Sequence, residues 1–403
     1  MKIQINRLFF TVFLLLINSF LFLPIKHITS MQLAAAISIL YIIIFLDKVI
    51  NAKSAYKKLV FILLGYILFE MIRTKCMYGN IIGIKDMLYR SIEFFSLPLI
   101  FLLLPSFANN YEWYIKCIKK IGLLTLIALV GVGIIYSVLH IQMIEEIFER
   151  SGRARILYGI EFLTIVWLLY LAEICKRINE KKRILKSSLF FLVAEPIYQM
   201  IFSQIRLLVV FQVFFILAAI LFVIKSQTKK SLCFEIVLIL GLAFMIIPTT
   251  SRYIIKILEM FNSSDSSMYA RISQIQYYPN LIVRKPFCGY GTISGPNFSD
   301  LITGQYGVFC PEDLGIIGFT FFYGIFGTMI FICIVMVYLL KAIKYRKSCP
   351  EAFFLELFLI ISSATMFMFD IQRGPLMVLF LVIIEGSIKC YENIAFGRNE
   401  KQP

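Results

Sequence analysis

The sequence predicts an all-α polytopic integral membrane protein, a single bundle of about twelve transmembrane helices with one long polar loop, and three observations carry that prediction. Hydrophobic residues make up 60% of the 403 and charged residues only 16%, with a mean hydropathy of +0.85. Soluble domains sit nearer 45–50% and roughly 25%. Apolar runs of about the length a span requires follow one another with short polar links between them. The stretch from Ser251 to Asp313 is the one long polar segment, and connections beyond about 12–15 residues are usually functional or disordered. Its aromatic residues and short apolar stripes speak against disorder.

The runs fall at 8–24, 31–46, 59–72, 91–105, 118–140, 156–175, 187–203, 205–224, 232–248, 314–340, 353–369 and 375–391. The first, with Lys2 and Arg7 ahead of it, has the build of a signal peptide. No small-x-small cleavage pattern follows Phe22-Leu23-Pro24, so it reads as a retained span. The third is the weakest, being short and followed by Arg73 and Lys75. Runs 187–203 and 205–224 almost touch, as a tight hairpin or one broken helix would. The chain thus divides into nine helices over 1–250, a large loop over 251–313, and three helices with a tail over 314–403.

A net charge of +16 raises the possibility of nucleic acid, but the basic residues sit between apolar runs instead of forming a soluble basic module. Membrane orientation accounts for them. With the N-terminus inside, 25 of the 40 Lys and Arg fall in inner links, which places both termini in the cytoplasm and the 251–313 loop outside, in a cell membrane. The kind of cation differs between the faces. Twenty of the 25 inner residues are lysine, whereas ten of the 15 outer ones are arginine: Arg73, Arg90, Arg150, Arg153, Arg155, Arg206, Arg252, Arg271, Arg284 and Arg373. Inner lysines meet anionic headgroups. Outer arginines need another cause, and the guanidinium fork grips phosphate oxygens bidentately where an ammonium cannot. The outer face reads as built to hold an anion.

Arg206 stands at the outer start of a run, as a snorkelling anchor or a ligand-facing cation. Before it, Glu195, Gln199 and Ser203 recur every four residues and share one helical face. A mid-span carboxylate is functional or, beside Pro196, paired internally at a kink. Arg271 precedes an amphipathic patch ending at Tyr278-Pro279, and Arg284-Lys285-Pro286-Phe287-Cys288-Gly289-Tyr290-Gly291 follows, its glycines allowing close backbone approach. Glu312 and Asp313 behind Pro311 either complement a helix dipole or act as general base toward a sugar hydroxyl. His27 and His140 lie away from the loop in sequence, and the loop has no Asp-x-Asp cluster of the kind that holds Mg²⁺, so neither histidine base chemistry nor a metal or other cofactor is expected. Cys288 and Cys310 share the loop and are the pair an oxidising exterior would allow to join.

Ser203-Gln204-Ile205-Arg206, Arg271, Pro286-Phe287-Cys288-Gly289-Tyr290-Gly291 and Gly315-Ile316-Ile317-Gly318, in that order around a long loop, resemble the O-antigen and capsular polysaccharide polymerases of the O-antigen polymerase and ligase superfamily. The likeness covers roughly 200–320 in motif and the whole chain in topology. It implies a bundle similar to GT-C type glycosyltransferases, working at the outer leaflet on undecaprenyl-diphosphate-linked oligosaccharide. It also implies membrane lipid as surroundings, a flippase and a chain-length regulator of the same pathway as partners, and no nucleic acid. Carried onto this chain, Arg206 and Arg271 hold the donor diphosphate. Arg153, Arg155, Glu195, Arg252, Tyr278, Arg284, Tyr290 and Arg373 are the remaining substrate-binding candidates. Ligases of the family have a histidine shortly before the last motif; here Pro311-Glu312-Asp313 stands there, which favours a polymerase with Glu312 or Asp313 as base. A flippase or secondary transporter is the competing class, though no internal repeat of the transporter kind is visible.

Overall fold

The computed structural model describes residues 2–18, 27–52, 54, 56–142, 144, 147–150, 153–156, 158–203, 205–227, 266–304, 307, 309–364 and 373–399. Helices α1 (Lys2–Ile17), α2 (His27–Ile44), α3 (Leu46–Ile50), α4 (Lys57–Tyr78), α5 (Ile84–Ser91), α6 (Leu99–Asn109) and α7 (Tyr111–Leu139) lead to an antiparallel hairpin of β1 (Ile147–Arg150) and β2 (Arg153–Ile156). Then come α8 (Ile160–Asn179), α9 (Lys186–Tyr198), α10 (Arg206–Gln227), α11 (Ser266–Arg284), α12 (Ser299–Thr303), α13 (Ile316–Tyr345), α14 (Pro350–Ser362) and α15 (Gly374–Asn399).

Sequence decides which helices lie inside. α8 is apolar around its whole circumference from Ile160 to Ala172, and a helix of that kind is buried. It packs on α14, every residue of which is buried, and α14 packs in turn on α13 and α15. α15 lies along α6, where Gly386 leaves room for the Phe107 ring. Small residues let helices approach in this way when no water drives them together. α7 is the contrasting case: only 33% of its most apolar window is covered, and Leu124, Ile127, Ile134 and Val138 stand exposed. In a membrane that surface faces lipid.

Among the described residues four stretches are long and apolar enough to cross a membrane: Ile84–Asn109, Tyr111–Leu139, Ile316–Tyr345 and Gly374–Ile394. Ile5–Ile17, Thr29–Ile44 and Leu208–Val223 are shorter apolar helices. The chain is therefore a helical protein of membrane type, with four of the twelve expected spans seen at full length among the described residues. Within run 353–369 the described helix is the 13-residue α14, about 20 Å long and wholly buried, and residues 365–369 lie outside the described residues. Run 59–72 grows to the 22-residue α4, which continues through Arg73 and Lys75 because Arg73 finds partners beside it. Run 232–248 lies outside the described residues. Runs 187–203 and 205–224 form a hairpin, not a single broken helix, since Gln212 on α10 hydrogen-bonds back to Glu195 on α9. A π-helical turn over Gln199–Ser203 makes the reversal.

The long polar segment is more regular than a loop. Its described part contains the 19-residue α11, the short α12 and a 3₁₀ turn over Pro311–Leu314. It is also fastened into the bundle. α13 breaks at Gly324, whose φ of 62° and ψ of −172° leave the helix. The 286–291 turn fills the break: Tyr290 and Gly291 donate their amides to the Phe321 and Phe322 carbonyls, and Ile325 and Phe326 donate to Pro286 and Phe287. A Cβ on Gly324 would sit 2.2 Å from the Phe287 oxygen, so glycine is needed there for space as well as for backbone angle. Irregular backbone among apolar helices persists only where protein satisfies it in this way.

Candidate functional site at the loop end

Several chain segments meet where α13 begins. Ile316 donates its amide to the Ser363 carbonyl at the end of α14, and Gly374 at the start of α15 abuts the Glu93 side chain. α11 packs on both α13 and the Pro311–Leu314 turn.

At the centre is a buried ion pair, Arg90 Nη1 to Glu312 Oε1, with side chains only 9% and 17% exposed. The Arg90 guanidinium also lies over the Phe322 ring, 4.2 Å from its centroid. Cys310 Sγ donates to the other Glu312 oxygen at 3.1 Å. Burial by itself would raise the Glu312 carboxyl, but the Arg90 charge and hydrogen bond, helped by Cys310 and a backbone amide, hold it below the usual carboxylate range. A carboxylate already matched by a guanidinium is a weaker base than an unpaired one, which counts against Glu312 as the base. Cys310 is a free thiol raised by burial and by the two neighbouring acids, and Cys288 is free as well, so the pairing considered from sequence does not form. Asp313 is half-buried, and among the described residues no side-chain hydrogen bond or ion pair engages its carboxylate.

The glycine turn has its own anchor. Arg73 Nη2 donates to the Cys288 and Gly289 carbonyls at 2.8 and 3.1 Å and is paired with the buried Glu70 at 2.6 Å. Thr74 Oγ1 accepts the Thr292 amide at 3.0 Å. This turn therefore holds the loop to α4 instead of cradling an anion.

The other expected residues fall into three groups. Four are described and engaged within the fold. Tyr278 is fully buried, its hydroxyl donating to the Ile302 carbonyl and its ring lying against Phe321. Tyr290 stacks on Phe321 at 5.0 Å and has Lys285 Nζ over its ring at 4.8 Å. Neither ring is open to a sugar, which corrects both assignments. Glu195 is fully buried and accepts from Gln199 Nε2 at 2.9 Å and from Gln212 Nε2, while Ser203 Oγ donates to Gln199. The four-residue spacing does place these groups on one face, but they serve to close the α9–α10 hairpin, so Glu195 is an internal tie and not a substrate ligand. Arg373 Nε lies 3.1 Å from Glu161 Oε1, joining α15 to α8. Two further arginines are described: Arg155 Nε donates to the Ser203 carbonyl at 3.4 Å, and Arg284 is exposed at the end of α11. The third group lies beyond view. Arg252 lies outside the described residues, and the side chains of Arg206 (first in α10), Arg271 (in the first half of α11) and Arg153 (first in β2) do so too.

Sequence reasoning missed Arg90, which counted as one of ten outer arginines, and Glu161 and Glu70, which drew no attention. One signal was available. Arg90 and Glu93 lie nearest the apolar part of the Ile84–Asn109 stretch, beyond Lys85 and Asp86 at its start, and charged groups inside such a stretch demand partners.

No model of a known protein family matches this sequence, and no curated protein matches it.

Proposed function

We propose that the chain is a metal-independent membrane glycosyltransferase of about twelve spans, with both termini cytoplasmic and the long loop extracytoplasmic. It joins undecaprenyl-diphosphate-linked repeat units at the outer leaflet. The observation that carries this reading is the packing of α11, the helix in which Arg271 and Arg284 lie, against the turn that holds Asp313, whose carboxylate has no partner among the described residues. A hydroxyl of the acceptor unit attacks the anomeric carbon of the growing glycan, and Asp313 takes its proton. The bond from that carbon to the diphosphate breaks, and the lipid diphosphate leaves with the electron pair. Arginines fixed in a water-poor site stabilise that charge. Each contact at about 4 Å and an effective dielectric near 20 is on the order of 4 kcal/mol before desolvation.

A flippase is the second reading, favoured by one observation, since discontinuous helices such as α13 mark many transporters. In those proteins the freed backbone faces the cargo, whereas here the 286–291 turn caps it. Purified protein given one defined lipid-linked repeat is expected to yield a ladder of longer glycans; translocation without elongation would replace the first reading by the second. Exchange of the acceptor separates a polymerase from a ligase. Arg206→Lys and Arg271→Lys are expected to lose most activity while still inserting, because charge is kept and the bidentate fork is not.

A further inference from the structure

A second polar constellation lies toward the opposite end of α13, where Tyr338 is sixteen residues beyond the Phe322 ring that covers Arg90 and on the far side of the Gly324 break. Its centre is Glu356 on α14. This residue is 0% exposed, and among the described residues neither carboxylate oxygen has a hydrogen-bond partner. The Tyr56 hydroxyl, just ahead of α4, is likewise buried and has no hydrogen-bond partner among the described residues. The Tyr56 and Tyr338 rings stack with centroids 3.8 Å apart, and Glu356 lies within electrostatic reach of both hydroxyls. Beyond them Tyr338 donates to Glu385 Oε2 at 3.4 Å, and Ser54 Oγ donates to Glu385 Oε1 at 3.0 Å. Lys389 Nζ sits 3.2 Å from that same oxygen and is 28% exposed, so the chain of groups ends at an accessible surface.

Other acids in the interior have compensation. Glu70, Glu161, Glu173 and Glu312 face Arg73, Arg373, Lys119 and Arg90, Glu195 accepts from two amides, and Glu351 accepts from the Tyr111 hydroxyl. Around Glu356 the described residues of the elements packed on α14 supply nothing equivalent. α13 brings Tyr338, and Lys341 is drawn instead over the Tyr56 ring at 4.4 Å. α15 brings Glu385 with its own Lys389. α10 brings the rings of Phe211, Phe215 and Phe222. On α8, Tyr170 lies under Lys119, Cys175 is buried, Lys176 lies toward Cys349 at the start of α14, and Glu173 is already paired with Lys119 and Arg177.

We infer that Glu356 is a proton-binding site, filled from the aqueous phase at the Lys389 end through Glu385 and the Tyr338 and Tyr56 hydroxyls. A carboxylate without cation or donor in such surroundings takes up a proton rather than remain charged. The neutral acid gains a hydrogen with which to address the tyrosine oxygens, and the nearby Glu385 holds the charge that Lys389 balances. This site is separate from the loop end and does not depend on what chemistry occurs there.

Infrared spectroscopy of the full chain in lipid nanodiscs tests the inference. At neutral pH the wild type is expected to show a protonated-carboxyl stretch that shifts in D₂O and is lost in Glu356→Gln. Glu385→Gln is expected to retain the band and slow its exchange with D₂O by about tenfold or more. Absence of the band from the wild type, or its persistence in Glu356→Gln, overturns the site; unchanged exchange in Glu385→Gln overturns the route. Should Glu356→Gln fail to fold, the wild type alone decides. Dicyclohexylcarbodiimide, which adds to protonated carboxyls in apolar surroundings, is expected to label the peptide carrying Glu356 at neutral pH and to do so less as pH rises. No label on that peptide rejects the assignment.

Discussion

The Pro311–Leu314 turn and the α9–α10 hairpin each bury a glutamate, and they do so by opposite means. Glu312 meets a guanidinium, so its charge is fixed and its proton affinity reduced. Glu195 meets two side-chain amides, which supply direction but no charge. The difference teaches that a buried acid in this bundle is read by its donor, not by its depth. A guanidinium holds an acid in its charged form, whereas Asp313 beside it meets no such partner among the described residues. Amides make the acid a tie between helices.

The largest effect that would sharpen this contrast is on Asp313. Asp313→Asn is expected to lower glycan elongation about 10²–10⁴-fold, the usual contribution of a positioned base, with the melting temperature in detergent unchanged. Wild-type elongation would leave the turn with structural acids alone. Next in size, Glu312→Gln strands a buried guanidinium and is expected to cost about 3–5 kcal/mol of stability by denaturant titration, with Arg90→Met and Glu312→Leu together recovering most of it. If the single change were silent, the pair would not be the fastening described. The pH dependence of melting has a defined sign. Because the folded carboxyl is held below its unfolded value of about 4.3, the stabilisation from Glu312 is complete above that value. It is lost as pH falls through the lower folded value, so wild type and Glu312→Gln converge in strong acid and diverge toward neutrality. The smallest effect belongs to the hairpin. Glu195→Gln keeps an acceptor for one amide and is expected to cost about 1 kcal/mol or less, whereas Glu195→Leu leaves both amides unanswered and costs about 1–3 kcal/mol. Equal losses for Gln and Leu would show that charge matters at Glu195 too, and the contrast would fail.

Much of the architecture was legible. Apolar runs located α7, α8, α13 and α15 because burial and lipid both select the same residues. The same property hid whether a helix meets lipid or protein, since Phe353 to Ile361 in α14 look alike to either environment. At the site, the sequence marked the turn and the i, i+4 face of α9 correctly but could not assign partners. Arg90 reaches Glu312 across 222 positions and Arg373 reaches Glu161 across 212, and nothing local signals such pairings. The tyrosines misled for a related reason: an aromatic in a polar segment suits a sugar, yet Tyr278 and Tyr290 face inward once α11 docks on α13.

The plugged gap in α13 sets limits on movement. Four main-chain bonds at Gly324 come from the 286–291 turn, and lifting that turn would expose all their donors and acceptors to apolar neighbours at once. Each such group costs several kcal/mol in hydrocarbon. This part of the segment is thus a fixed roof beam rather than a hinged cover.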